Sequence, residues 1–274
     1  SPENRRQIQL MQNHNGNTPL HVHPCGLFKL IELLEASHRA DVLSIRNFVG
    51  DTVLHRLPAK DVLEHIWKLD IPPAHKIFRL QNQMGRSIFH ELTTVEVADD
   101  ESVEEEITKA LSKVDVKQRI NTLAVKDNNG NTIIHLLDFE RSDEMSDLFD
   151  CIQHSQNDLC RLMAQSNLAG VMPIHMMVDH YKTLRDVLSW FSIDHRVNLL
   201  SCKNSKGQTP LHIAMFKSAA TVNLLLQGLP PDRLQSILEL KDNYGNTPVH
   251  AAISGCEAGM IDVIKRHADS KTLL

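Results

Sequence analysis

The sequence contains no run of 18 apolar residues, so no segment of it reads as a membrane span. It also has no basic excess: 29 Lys and Arg stand against 34 Asp and Glu, a net charge of −5. A nucleic-acid surface needs a basic stripe to displace counterions from phosphates, so nucleic acid is not an expected partner. None of the five cysteines forms a CxxC pair. An odd number of thiols without a pairing pattern fits a reducing compartment better than a disulfide framework. The polar start, Ser1 to Arg6, lacks the apolar core of a signal peptide. A soluble, intracellular, cytoplasmic chain is therefore expected. Nucleophile-elbow phrases and glycine-rich phosphate loops are missing too, because the recurring glycines are separated by some 34 residues or more.

What is present is internal repetition. One phrase recurs: an Asn or Asp, two variable residues, a Gly, one more variable residue, then Thr-Pro-Leu-His or a variant. It appears at 13–21, 47–55, 82–90, 127–135, 204–212 and 242–250, with a weaker copy at 167–175 in which Met172 replaces the Thr. The closing histidines fall 34, 35, 45, 40, 37 and 38 residues apart. The Gly suits a turn that needs positive φ. The following Thr or Ser is placed to cap a helix through its oxygen, and Pro at 19, 173, 210 and 248 suits a first helical residue.

A short helix is expected after each phrase, and then a second helix with an apolar face. Apolar spacing puts the second helices at Leu27–Ala36, Asp61–Leu69, Val103–Val114, Glu144–Ile152, Leu184–Phe191, Thr221–Gln227 and Met260–Arg266. One helix pair cannot bury such faces alone, whereas a stack of neighbours can.

The phrases Gly207-Gln208-Thr209-Pro210-Leu211-His212-Ile213-Ala214 and Gly245-Asn246-Thr247-Pro248-Val249-His250-Ala251-Ala252 closely resemble the core phrase of ankyrin repeats. That resemblance covers roughly residues 8 to 274. It implies an all-α ankyrin-repeat solenoid, a single domain over 1–274 with about seven repeats, in which the motif histidines are structural. The family repeat is about 33 residues long, and every interval here is longer. Much of the excess lies just before each turn, in a second recurring phrase: 39–43, 75–78, 117–120, 158–162, 195–200 and 232–238. We read it as an extra helical turn between units, partly replacing the long hairpin finger of regular ankyrins.

Sixteen histidines invite a metal or catalytic reading, but seven belong to the repeat phrase. The densest group, His21-Val22-His23-Pro24-Cys25 with His14 nearby, has no second ligand pair at finger spacing, so no metal and no cofactor is expected. Cys25, Cys151, Cys160, Cys202 and Cys256 lie mostly in or beside apolar helix positions, where a thiol behaves as a small hydrophobe. No catalytic residue is assigned, and no enzyme activity is expected. The acidic run 99–106 reads first as a loop entering a helix whose N-terminus welcomes carboxylates; a docking patch or a Ser102 phosphosite is the other reading.

The expected function is protein binding. Turn tips should be polar, as Asn128-Asn129 and Ser205-Lys206 are, yet Phe48-Val49, Met84, Leu168-Ala169 and Tyr244 are apolar or aromatic. Lined up on one edge they look like an interaction surface, unless Phe48 and Leu168 fold back on a neighbouring repeat. By the resemblance, residues just after the first helix and just after each Gly also face the partner. The candidate contacts are Phe48, Val49, Asp51, Met84, Arg86, Phe139, Glu140, Leu168, Lys206, Phe216, Lys217 and Tyr244. Two other readings stay open: a substrate-recruiting fragment of a larger enzyme, and a self-associating scaffold. The divergent copies also resemble pathogen-secreted ankyrin proteins that act in the host cytoplasm.

Overall fold

Each repeat phrase is followed by apolar residues at helical spacing, and among the described residues every regular element is helical. The computed structural model describes residues 10–23, 29, 33–34, 36–57, 74–94, 102–140, 142–152, 155–254 and 258–269. No strand occurs among the described residues. Internal contacts gather the chain into two compact units, residues 1–137 with 150–152, and residues 138–149 with 153–274.

In the first unit, like elements stack on like. The entry helix Pro19–Val22 packs on Val53–Arg56, which packs on Ile88–Leu92, which packs on the 3-10 turn Ile133–Leu136. A separate layer joins Ala36–Ser44 to Ala74–Phe78 and that helix to Val116–Leu123. The second unit repeats the plan with three layers. Entry helices Pro173–Met176, Pro210–Ala214 and Pro248–Ser254 form one, and second helices Tyr181–Ser189, Ala219–Leu226 and Ala258–Asp269 form another. The third comprises Gln156–Met163, Ile193–Ser201 and Pro231–Leu238.

That last layer is larger than the sequence suggests. What reads as an extra turn is, at five of six places, a helix of eight or nine residues. Polar starts lengthen it beyond its apolar stretch. Asp115 accepts the Lys117 N–H at 2.9 Å, and Pro231 stands in the first turn of its helix, where the missing donor costs nothing. The second helices over 103–112, 142–150, 181–189, 219–226 and 258–269 lie within a few residues of expectation. Asp61–Leu69 and most of Leu27–Ala36 fall outside the described residues, as do Cys25 and Cys256. The start of Val103–Ser112 is capped by Ser102, whose oxygen receives the Glu105 N–H, while Glu104 to Glu106 sit in its first turn. Lys109 pairs with Glu105 at 2.8 Å and Glu106 at 2.6 Å.

The core follows the same register through the first six copies. Leu20, Leu54, Phe89, Ile134, Ile174 and Leu211, one from each of the first six entry elements, are buried. So are Leu43, Phe78, Leu123, Met163 and Leu200, each four residues before the Asn or Asp of a turn. Burying one such side chain contributes about 1.5–3 kcal/mol. Phe78 and Phe89 join the two sets, ring centroids 5.2 Å apart.

Two glycines separate turn strain from turn stacking. Gly85 has φ +71°, and a Cβ there would stand 2.7 Å from the Asn128 amide nitrogen of the next turn. Gly245 has φ +81° with nothing within 4 Å of an added Cβ. Gly245→Ala is expected to cost only the left-handed penalty, about 1–2 kcal/mol. Gly85→Ala must also push the turns apart and is expected to cost about 2 kcal/mol more; urea unfolding of the two variants checks the difference.

Candidate protein-binding surface

The tips are held by a turn whose backbone is satisfied from within. The side-chain oxygen of the opening Asn or Asp accepts two N–H groups, as Asn82 does from Met84 at 3.0 Å and Arg86 at 3.1 Å. The Gly85 N–H returns to the Asn82 carbonyl at 3.0 Å, and the Asn82 N–H donates to the Arg86 carbonyl at 3.0 Å. The same bonds recur around Asn47, Asn204 and Asp242. Consecutive tips are then tied in a ladder. The N–H of Phe48 donates to Asn15, that of Gln83 to Val49, and that of Asn128 to Met84; in the second unit Asn243 donates to Lys206.

The motif histidine locks turn to turn. At His21, His55, His90, His135, His212 and His250 the ring Nδ1 receives the N–H of the capping Thr or Ser at 3.1–3.2 Å and its hydroxyl at 2.8 Å. This is a capping box in which an imidazole takes the place of the usual Glu or Gln. Nε2 faces the carbonyl of the residue after the Gly in the next copy: Asp51 from His21, Arg86 from His55, Asn131 from His90, Gln208 from His175, and Asn246 from His212, at 2.9–3.1 Å. A carbonyl can only accept and an N–H can only donate. The ring is therefore neutral with its proton on Nε2. Burial accordingly holds His21, His55, His90, His175 and His212 below the ordinary imidazole value. At the fifth copy Met172 has no hydroxyl to offer, and the buried His175 Nδ1 makes no hydrogen bond.

With the backbone so occupied, the tip side chains are left over. In the first unit Phe48 is 66% exposed, Met84 65% and Val49 also exposed. The Phe48 ring does lie against Gly16, where an added Cβ would stand 2.6 Å from its Cδ1, but its other face stays open. Val49, Asp51 and Met84 meet in a groove of about 590 Å³, together with His55, Asn82, Gln83 and Glu91. Asn82 Nδ2 bridges the two carboxylates there, at 3.1 Å from Asp51 and 3.2 Å from Glu91. Arg86, half-buried, lies with its Nε 3.5 Å from Glu91 and donates through Nη2 to the His90 carbonyl at 2.6 Å. Sequence reasoning missed Asn82, Gln83 and Glu91. The signal was available for Glu91, the charged residue directly after the third motif histidine.

In the second unit Leu168 is 79% and Tyr244 85% exposed, and Phe216, Lys206 and Lys217 are exposed as well. Lys217 pairs with Asp179 at 3.0 Å. Glu140 is exposed. Phe139, expected to face a partner, is instead buried, its ring 5.7 Å from that of His180 and its carbonyl receiving the Thr183 hydroxyl at 2.7 Å. The preceding element is a 3-10 turn of only four residues, Ile133–Leu136, followed by extended Leu137. In the sixth copy the chain is still helical at Met215, just before exposed Phe216, whereas here the helical run ends at Leu136 and Phe139 no longer lies on a helix end.

Burial pushes the thiols of Cys151 and Cys160 up and that of Cys202 to about 11, so all three stay protonated at neutral pH. Among the described residues no three His, Cys, Asp or Glu side chains gather as a metal seat. No helix among them is long and apolar enough to cross a membrane.

The family model of the ankyrin repeat matches residues 206–234, the sixth turn with its entry and second helices. No curated protein matches the chain.

Two outcomes follow from the histidine lock. Met172→Thr gives His175 Nδ1 the hydroxyl partner that the other copies have, and is expected to raise stability by about 1 kcal/mol in urea unfolding. For pH, the folded rings bind protons less readily than the unfolded chain, whose value is 6.5. Stability is thus complete above that value and falls as pH drops below it, until the folded rings also protonate. Thermal unfolding followed from about pH 7.5 to about pH 5 is expected to show a midpoint that declines with acid; a level midpoint would contradict the lock.

Proposed function

We propose that this chain, which carries an ankyrin repeat at residues 206–234, is a protein-binding module that takes its partner on the exposed turn tips. One observation carries the reading: Phe48, Val49, Met84, Leu168 and Tyr244 stand in solvent on turns whose backbone bonds need nothing from their side chains. A solvated turn gains nothing from a large apolar tip, and surface contacts of this kind recur where proteins meet. Tyr244 combines contact area with a hydroxyl that stays wet, and Met84 adapts to an irregular partner surface.

The groove at Val49, Asp51, Met84 and Glu91 gives the first unit a second element of recognition. Its rim is apolar and its floor holds two carboxylates joined by Asn82. Lys206 and Lys217 with Phe216 provide a basic and aromatic counterpart in the second unit. Glu140 adds an exposed carboxylate. Phe139 is withdrawn from the contact set because it is buried.

The test is affinity capture from lysate with the wild-type chain beside two variants. One carries Phe48→Ser with Met84→Ser, the other Leu168→Ser with Tyr244→Ala. These side chains are exposed, so each variant should keep its helical circular dichroism. A protein held by wild type is expected to be lost, by about tenfold or more in affinity, from the variant whose tips it uses. Equal retention by both folded variants would remove the tips as the binding surface.

A further inference from the structure

The two charges of the first-unit groove stand at positions where no other copy carries an acid. The residue after the turn Gly is Asn, Arg, Val or Gln elsewhere and a carboxylate only at Asp51. The residue after the motif His is acidic only at Glu91. Between them rise Val49 and Met84, equivalent residues of two consecutive tips, 52% and 65% exposed.

Stacking of the turns does not require these charges. Asn82 Nδ2 donates to Asp51 at 3.1 Å, and one copy earlier Asn47 Nδ2 donates to the amide oxygen of Asn17 at 2.9 Å. A neutral acceptor therefore serves the same bond between turns. Glu91 accepts from that Asn82 nitrogen too, at 3.2 Å, so two carboxylates converge on one amide. Like charges held so close repel each other.

The nearby cations stand outside the groove. Arg56 comes only to 3.8 Å of Asp51, beyond hydrogen-bond reach, and is half exposed. Arg86 Nε lies 3.5 Å from Glu91 and makes no hydrogen bond, while its Nη2 is committed to the His90 carbonyl. Neither arginine is among the lining residues, whereas His55 is. That ring is neutral, because its Nε2 meets the Arg86 carbonyl and its Nδ1 accepts the Thr52 N–H. The open volume of about 590 Å³ is thus bounded by two carboxylates, two exposed apolar walls and no cation.

We propose that this groove takes an arginine side chain of the protein partner. The aliphatic stem lies along Val49 and Met84, and the guanidinium faces Asp51 and Glu91. A charged head on polar groups with its stem on apolar surface is the ordinary way such a side chain is buried. The planar fork carries five donors and reaches two carboxylates at once, whereas a lysine ammonium is a compact, strongly hydrated point charge. The inference rests on the reading of the tips as a binding surface and names the chemistry that one pair of them receives.

Methyl NMR of the full chain, labelled at methionine, tests it with three tripeptides. These are acetyl-Ala-Arg-Ala amide and the same peptide with lysine or with citrulline, which keeps the shape of arginine without its charge. The Met84 signal is identified by its loss in Met84→Leu. The arginine peptide is expected to shift that signal saturably, binding about fivefold or more tighter than the lysine peptide and about tenfold or more tighter than the citrulline peptide. Asp51→Asn and Glu91→Gln each keep an oxygen for Asn82 and remove one charge. With unchanged circular dichroism, each is expected to weaken the arginine peptide by about fivefold or more. Equal binding of the arginine peptide and either analogue overturns the proposal. So does a Met84 signal unmoved at about 50 mM peptide, or arginine binding that both variants leave intact. Any of these beside a partner lost from the Phe48→Ser, Met84→Ser chain keeps the tips and removes only the arginine. A partner retained by both tip variants removes the tips whatever the peptides do.

Discussion

The imidazole that caps its own helix with Nδ1 and reaches the next turn with Nε2 is the contact on which the repeats depend. It joins a local requirement to a long-range one. The first N–H groups of a short entry helix have no partners inside the element, and the ring supplies one. Its other nitrogen then needs an acceptor about 30 to 40 residues away, and the next turn presents a carbonyl there. A Gln or Glu could perform the local half, but a flexible side chain would lose more rotamer freedom in holding both ends. The neutral state of the ring is part of the design, since a proton on Nδ1 would meet the Thr N–H head on.

This arrangement makes each copy incomplete without a neighbour. A histidine without a following carbonyl, or a leucine without a following helix, leaves polar or apolar surface in water. His175 shows the local half missing, because Met172 cannot donate a hydroxyl, yet its bond to Gln208 persists. His250 keeps the local half with Thr247, and its Nε2 meets no carbonyl among the described residues. The fold tolerates the local loss at His175, as expected of a stack whose stability is a sum over units and their contacts.

Much of this was legible in the residues. The turn phrase places each Gly at positive φ, each Asn or Asp at the turn start and each His at the third helical residue, and all seven do so. The third helical layer was underread because only its last residues are apolar at a regular spacing. Its beginnings, such as Gln156-Asn157-Asp158 and Pro231-Asp232-Arg233, are polar and look like loop until a cap or proline is recognised. Phe139 was misplaced because position was counted from the motif histidine as if every entry element were an α-helix, and Ile133–Leu136 is not one. The groove at Asp51 and Glu91 was hidden for another reason. It is formed by residues 40 positions apart, and only the stacking of two turns brings them to one Asn82 amide.

The same construction separates what keeps the turns folded from what they display. The tip backbones are bonded largely within their own turns and along the ladder, and Gln83, Asn128, Ser205 and Asn243 add side-chain bonds to a neighbouring tip carbonyl, but the side chains of Met84, Leu168 and Tyr244 take no part in these bonds. Asn128-Asn129 and Tyr244 sit on turns of the same build, with the same glycine conformation and the same bonds to the opening Asp. Replacing the exposed apex residue of such a turn therefore changes the surface without touching its backbone bonds. At Met84, Leu168 and Tyr244 the apolar side chain stands largely in solvent, while Phe48 keeps one face on Gly16 and leaves the rest exposed. On the proposed reading, a residue that folding neither requires nor penalises, and that water disfavours, is there for a partner.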